Sequence, residues 1–154
     1  MKGDNYISLL GRTSDDPEVK TLLTESGITK PPKLKRGDLD AYAVNKKLGL
    51  EIIFRDERYL DVKSQEYEEG ALVLWNVAMY CESENMESYP GELPIGLKCN
   101  LGRKEVVTKL GKKPAWEDKE SGDARWDFPG YCLFITFDSQ LKKIRNLGVQ
   151  LPLA

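Results

Sequence analysis

The sequence contains no histidine. Histidine is the one side chain whose unperturbed pKa lies near neutrality, so a Ser-His-Asp triad, a Cys-His pair and an imidazole metal site are all excluded. An enzyme here would have to work with carboxylates, lysine, tyrosine or an unassisted cysteine. Long apolar runs are missing as well. The most apolar stretch, Ala71-Leu72-Val73-Leu74-Trp75, is far too short to span a bilayer. Met1-Lys2-Gly3-Asp4-Asn5 has neither an apolar segment nor a small-residue cleavage site, so no signal peptide is expected. Gly111-Lys112-Lys113 lacks the upstream glycine of a phosphate loop, and no run of Cys or Asp has zinc or EF-hand spacing. No catalytic, cofactor-binding or metal-ligating residue is therefore nominated. Cysteine is scarce. Cys81, Cys99 and Cys132 are odd in number, widely separated and flanked by apolar residues. They read as buried small hydrophobes of a protein in the reducing cytoplasm.

What is present suits a folded chain. With 154 residues, 40% apolar and 31% charged, a real core can form, and residues 1–154 are expected to make a single domain. The net charge of −2, from 23 basic and 25 acidic residues, argues against a nucleic-acid partner, which would call for a basic surface. No membrane partner is expected either. Lys30, Lys33, Lys35 and Arg36, interleaved with Pro31 and Pro32, read as a solvated connection.

A first helix is well signalled. Asp15 or Asp16 can cap it, Pro17 suits its first position, and Val19, Leu22 and Leu23 form one apolar stripe before Gly27 ends it. Strands are expected over 40–45, from Leu50 through Phe54, over about 59–65 and, most strongly, over 71–81. Strict alternation over 71–81 puts Leu72, Leu74, Ala78 and Tyr80 on one face. Val73, Trp75, Val77 and Met79 fall on the other, as in a central strand covered on both sides. The pattern then recurs: a helix over 103–110, Gly111, an alternating strand from Tyr131 to Phe137, a turn, and a closing strand over 141–149. Leu10-Gly11-Arg12 ahead of Val19 and Leu23 matches Leu101-Gly102-Arg103 ahead of Val106 and Leu110. Gly49 and Gly130 each open a strand that reaches a Phe. The expected fold is α+β, two diverged helix-then-antiparallel-strand repeats (approximately 5–81 and 95–151). Together they would form a curved antiparallel sheet with helices on one face. The other face, or an edge, would be left for a partner.

Acidic residues gather in three stretches: Glu66, Glu68 and Glu69; Glu82, Glu84, Glu87 and Glu92; and Glu117, Asp118, Glu120 and Asp123. They are either solvated loops or a negative surface that steers a basic partner. Among the aromatics nearby, Trp75 and Tyr80 read as core, and Tyr89 and Trp116 as interface residues. The partner-binding candidates are Glu66, Glu68, Glu69, Glu82, Glu84, Glu87, Tyr89, Glu92, Trp116, Glu117, Asp118 and Glu120.

The stretch Tyr89-Pro90-Gly91-Glu92-Leu93-Pro94-Ile95-Gly96-Leu97, with Arg103-Lys104-Glu105-Val106-Val107, Leu110-Gly111, Pro114, Arg125-Trp126-Asp127 and Gly130-Tyr131, resembles immunity proteins of bacterial polymorphic-toxin and contact-dependent inhibition systems. Leu9-Leu10-Gly11, Val19 and Gly49-Leu50-Glu51-Ile52-Ile53-Phe54 extend the resemblance to the first half. The helix–Leu-Gly–strand pattern is also similar to the tandem repeat of the β-lactamase-inhibitor protein and of small outer-membrane assembly lipoproteins. The chain departs from these in lacking a lipobox and paired cysteines. The resemblance implies a cytoplasmic antitoxin-like protein that is not an enzyme. It would bind a cognate toxin domain one-to-one, blocking its active site or an exosite, and a basic nuclease toxin would give the acidic loops a role. The alternative is a carboxylate-dependent hydrolase or a small-ligand binder of the same fold.

Overall fold

The computed structural model describes residues 2–153. Three helices, α1 (Gly3–Leu9), α2 (Pro17–Glu25) and α3 (Arg103–Leu110), accompany seven strands. These are β1 (Asp40–Asn45), β2 (Leu50–Asp56), β3 (Leu72–Tyr80), β4 (Trp116–Asp118), β5 (Asp123–Phe128), β6 (Tyr131–Phe137) and β7 (Ile144–Gln150). All seven join one antiparallel sheet in the order β1-β2-β3-β7-β6-β5-β4. The last strand of each meander, β3 and β7, therefore meets its counterpart at the centre.

The expected capping chemistry is in place on α2. Asp16 accepts hydrogen bonds from the Glu18 and Val19 amides at 2.8 and 3.4 Å, and Pro17 occupies the first turn. Val19, Leu22 and Leu23 are buried against the sheet. On α3, Gly102 stands at the N-cap and its amide donates to the Glu105 carboxylate at 3.1 Å. A Cβ at Gly102 would lie 2.8 Å from the Leu141 carbonyl oxygen, so close backbone packing excludes the Ser or Thr that otherwise caps well there.

The core lies between the three helices and one sheet face. Tyr6 and Leu9 of α1, the α2 stripe and Val106 of α3 pack on Ile52, Phe54, Val77, Met79, Trp126, Leu133, Ile135, Leu147 and Val149. Helix α1 was not expected from sequence. At seven residues, with no side-chain N-cap, it depends on tertiary partners: Gly3 N–H donates to Glu92 O at 2.6 Å and Asp4 accepts from the Ile95 amide at 2.7 Å. Strands β4 and β5 were also missed, although Ala124, Trp126 and Phe128 alternate with Asp123, Arg125 and Asp127 in the manner of a half-buried strand.

Three expectations are corrected. No strand forms over 59–65. Asp56 caps a single 3-10 turn at Glu57–Tyr59, and Leu60 then tucks beside Val73 and Leu151 in a small second cluster. The faces of β3 are not those of strict alternation. Ile53 pairs with Asn76 but Phe54 with Leu74, leaving Trp75 as an extra residue. This bulge puts Leu72, Leu74, Val77 and Met79 on the core side and Val73, Trp75, Asn76, Ala78 and Tyr80 on the other. Finally, Cys81 and Cys99 form a disulfide with Cα atoms 5.7 Å apart, leaving Cys132 buried as a free thiol. The loop closed by the bridge folds back over the core, burying Tyr89, Leu93 and Leu97.

Candidate protein-binding face

Residues paired across an antiparallel sheet share a face, so the register maps the side opposite the helices row by row. One row runs Tyr42, Ile53, Asn76, Gln150, Cys132, Asp127. The next runs Val44, Glu51, Ala78, Gly148, Phe134, Arg125, Trp116. A third runs Tyr80, Asn146, Thr136, Asp123, Asp118. No helix covers these rows. At one corner Asp40 and Arg55 pair at 2.7 Å, and the Arg55 guanidinium lies 3.6 Å over the Trp75 ring, beside the Leu60–Val73–Leu151 cluster.

The residue types on this face are not those of a solvated sheet. Tyr42 is 59% exposed, Trp116 46% and Val44 41%, while Trp75, Tyr80 and Phe134 are half-buried. None of the chain's lysines falls on any row, although Lys and Arg together number 23. Interfaces are enriched in Tyr, Trp, Phe and Arg and depleted in Lys, so this composition separates the face from the rest of the surface.

The polar groups at the centre are tied mostly to one another. Asn76 Nδ2 donates to Gln150 Oε1 at 2.9 Å, while the buried Asn76 Oδ1 has no hydrogen-bond partner. Thr136 donates to Asp123 at 2.7 Å. Arg125 Nε lies 3.0 Å from Asp127 Oδ1, an ion pair whose angle is too bent for a hydrogen bond. The Cys132 thiol donates to Asp127 at 3.2 Å, and burial pushes its pKa up, which suppresses thiolate reactivity. Glu51 is half-buried, has neither hydrogen bond nor ion pair through its carboxylate, and has its pKa raised by desolvation.

The structure distributes the sequence-nominated residues widely. Tyr89 is core, not interface: 9% exposed, it shares a 2.8 Å hydrogen bond with Tyr6, their rings edge to face. The disulfide-closed loop and the pairing of the Tyr89 amide with the Tyr80 carbonyl carry it inward. Trp75 and Tyr80, read as core, stand half-buried on the open face because of the β3 bulge. Trp116 and Asp118 also lie on that face. Glu117 points the other way and makes two 2.7 Å bonds with Arg103 of α3. Glu66, Glu68 and Glu69 are exposed at the start of β3 and line, with Asp15, a recess of about 490 Å3. Glu82, which pairs with Lys143 at 2.6 Å, and exposed Glu84 and Glu87 follow the far end of β3, roughly 25–30 Å away by strand rise. Glu92 lines another recess with Asp4, and Glu120 donates its amide to Asp118. The acids do not converge into one patch. Sequence reasoning passed over Tyr42, Glu51, Arg125 and Phe134. Their signal was aromatic or charged side chains at alternate strand positions where lysine would be ordinary.

No group of three or more His, Cys, Asp or Glu side chains among the described residues could hold a metal ion, and no helix there is long and apolar enough to cross a membrane.

No protein-family model matches the chain, and neither does any curated protein. Solved structures do share its fold. One is an extracellular protein containing a SCP domain from Bacillus anthracis str. Ames (TM-score 0.55, 11% identity). Another is a cysteine-rich secretory protein from Staphylococcus aureus subsp. aureus Mu50 (TM-score 0.53, 13% identity). Each alignment covers 94% of this chain and 44% of the other, so the chain spans less than half the length of the proteins it matches. At such identity the likeness is one of fold. It overturns two expectations: the fold neighbours are described as extracellular and secretory proteins, not contact-dependent inhibition immunity proteins, and they conflict with a cytoplasmic location. The Cys81–Cys99 bridge removes the physical basis of the cytoplasmic reading, because unpaired cysteines were its support.

Proposed function

We propose that this chain is a non-catalytic protein-binding module whose contact surface is the helix-free face of the sheet. The observation that carries the proposal is the composition of that face: exposed Tyr42, Val44 and Trp116, half-buried Trp75, Tyr80 and Phe134, and no lysine. Such a broad, aromatic, lysine-free surface suits a protein partner, whose buried anchors are typically Trp, Tyr and Arg. The partner role no longer rests on toxin neutralisation, since the family resemblance that suggested it is overturned.

We further read the face as the product of two diverged halves. The antiparallel β3–β7 contact places the end of each meander at the centre. Gly49 and Gly130, both left-handed, open β2 and β6. Phe54 and Phe137 each sit where the register slips past an extra residue, Trp75 in β3 and Arg145 in β7. Shared bulge positions at matching strands support duplication beyond the short sequence matches.

The test is site-specific photo-cross-linking in cells that naturally express the protein. A benzophenone side chain at position 42 or 116 is expected to give a discrete protein adduct, and one at exposed Lys20 or Thr108 on the helix side none. Equal labelling from both sides, or none from positions 42 and 116, would refute the proposal.

A further inference from the structure

Resting on that reading, we infer that Glu51, set between Tyr42 and Tyr80, is the receptor for an arginine side chain of the protein partner. Glu51 sits in the middle row of the open face, between Val44 of β1 and Ala78 of β3, and next to Ala78 comes Gly148. Tyr42 and Tyr80 occupy the diagonal positions on the flanking strands; burial raises the pKa of both phenols, and the Glu51 carboxylate adds to the rise through space. Two aromatic rings thus bracket a carboxylate above a floor of small residues.

The carboxylate is unusual in having nothing to do. Other acids of the face are occupied: Asp40 by Arg55, Asp127 by Arg125 and Cys132, Asp123 by Thr136, and Asp118 by the Glu120 amide. Glu51 has no such partner, and none can come from within the face. Arg55, on the same strand, is committed to Asp40 and stacked on Trp75, and no lysine is present on any row. A half-buried, unpaired charge costs stability, and such costs persist where a ligand relieves them. A guanidinium answers the geometry better than an ammonium. Its plane stacks on tyrosine rings while its edge bonds a carboxylate in fork geometry. The face already contains that arrangement internally, in the Asp40–Arg55–Trp75 triad.

The groups around Glu51 set the sign of its pH dependence. Tyr42 faces it from β1 and Tyr80 from β3, while Asp40 and Arg55 pair with each other two rows further along the sheet. Desolvation raises the folded-state pKa above the unfolded value, so Glu51 lowers stability once ionised, and that loss is absent at pH below its unfolded pKa.

The experiment compares wild type with Glu51→Gln in three readouts. Thermal unfolding should show Glu51→Gln at least as stable as wild type, with an advantage larger at about pH 7 than at about pH 4. A structural role for Glu51 would give the opposite sign, and a destabilised variant overturns the inference. Titration with acetyl-arginine amide should shift the amide resonances of Ala78, Tyr80 and Gly148 in wild type, more than acetyl-lysine amide does. The shifts should shrink at least fivefold in Glu51→Gln; undiminished shifts, or none in wild type, overturn it. In cells, the cross-link from position 116 should be lost in Glu51→Gln. If the adduct persists, Glu51 is not the receptor although the open face still binds. If wild type itself gives no adduct from the face, the binding reading fails instead.

Discussion

At the scale of single residues, backbone constraints and unpaired charges separate positions that hold the fold from positions that are free to serve a partner. Gly49 belongs to the first kind. Its φ of 56° and ψ of 39° are left-handed, and its carbonyl accepts the Tyr80 amide at 2.9 Å. A Cβ there would overlap the Glu87 carbonyl oxygen and come within 2.9 Å of the Tyr89 amide nitrogen. Both neighbours are backbone and cannot swing aside. Gly49→Ala is therefore expected to lower stability by about 2 kcal/mol or more, measurable by urea unfolding. Gly111, also left-handed but with open space around its missing Cβ, should tolerate alanine at about 1 kcal/mol. The difference between the two separates crowding from backbone strain.

Elements are held in place by links that the sequence disclosed unevenly. Helix α2 was legible because capping, proline and apolar spacing all act within one turn of chain. Helix α1 was not, because its partners at Glu92 and Ile95 lie far away in sequence. Nor was the β3 bulge, which is set by the pairing of two strands and moved Trp75 and Tyr80 from the anticipated core to the open face. The cysteine pairing needed spatial knowledge of the same kind. The Cys81–Cys99 bridge closes a sequence separation of 18 residues, so its loss should cost about 3 kcal/mol on the loop-entropy model. Denaturant unfolding of the Cys81→Ser/Cys99→Ser variant, or of wild type with a dithiol reductant, should show this cost, with faster hydrogen exchange of the Tyr89 amide, bonded to the Tyr80 carbonyl, reporting release of the loop. A second link joins α3 to β4 through Arg103 and Glu117. The Arg103 hydrogen bonds hold the Glu117 pKa below its usual range, so the stabilisation is present above the unfolded carboxylate pKa and is lost as pH falls through the folded one. Glu117→Gln should remove that acid-side dependence, whereas Glu51→Gln acts at higher pH with the opposite sign.

On the scale of the whole molecule, the two sides of the sheet differ: helices cover one, and the other is the side proposed to meet a partner. The α+β class and the vacant face were legible from sequence, because helix and strand periodicities differ and a few short helices cannot cover both sides of a sheet. Which residues occupy the face was not, since register decides it and a one-residue slip inverts every side chain. The acidic loops drew notice because charge runs are visible in one dimension, yet they are dispersed around the molecule. This asymmetry between sides is measurable as a separation of stability from binding. Trp126 lies wholly buried on the helix side, in edge-to-face contact with Phe137 and donating to the Lys112 carbonyl at 3.0 Å. Trp126→Ala should cost about 3–5 kcal/mol. Tyr42 and Trp116 are 59% and 46% exposed on the opposite side, so Tyr42→Ser and Trp116→Ser should each stay within about 0.5 kcal/mol of wild type. The same two substitutions together should abolish the adduct formed from a benzophenone at Val44, another exposed position on that face. Should they unfold the protein like Trp126→Ala, the aromatics serve the fold. A stable double variant that keeps its adduct would place the partner on some other surface.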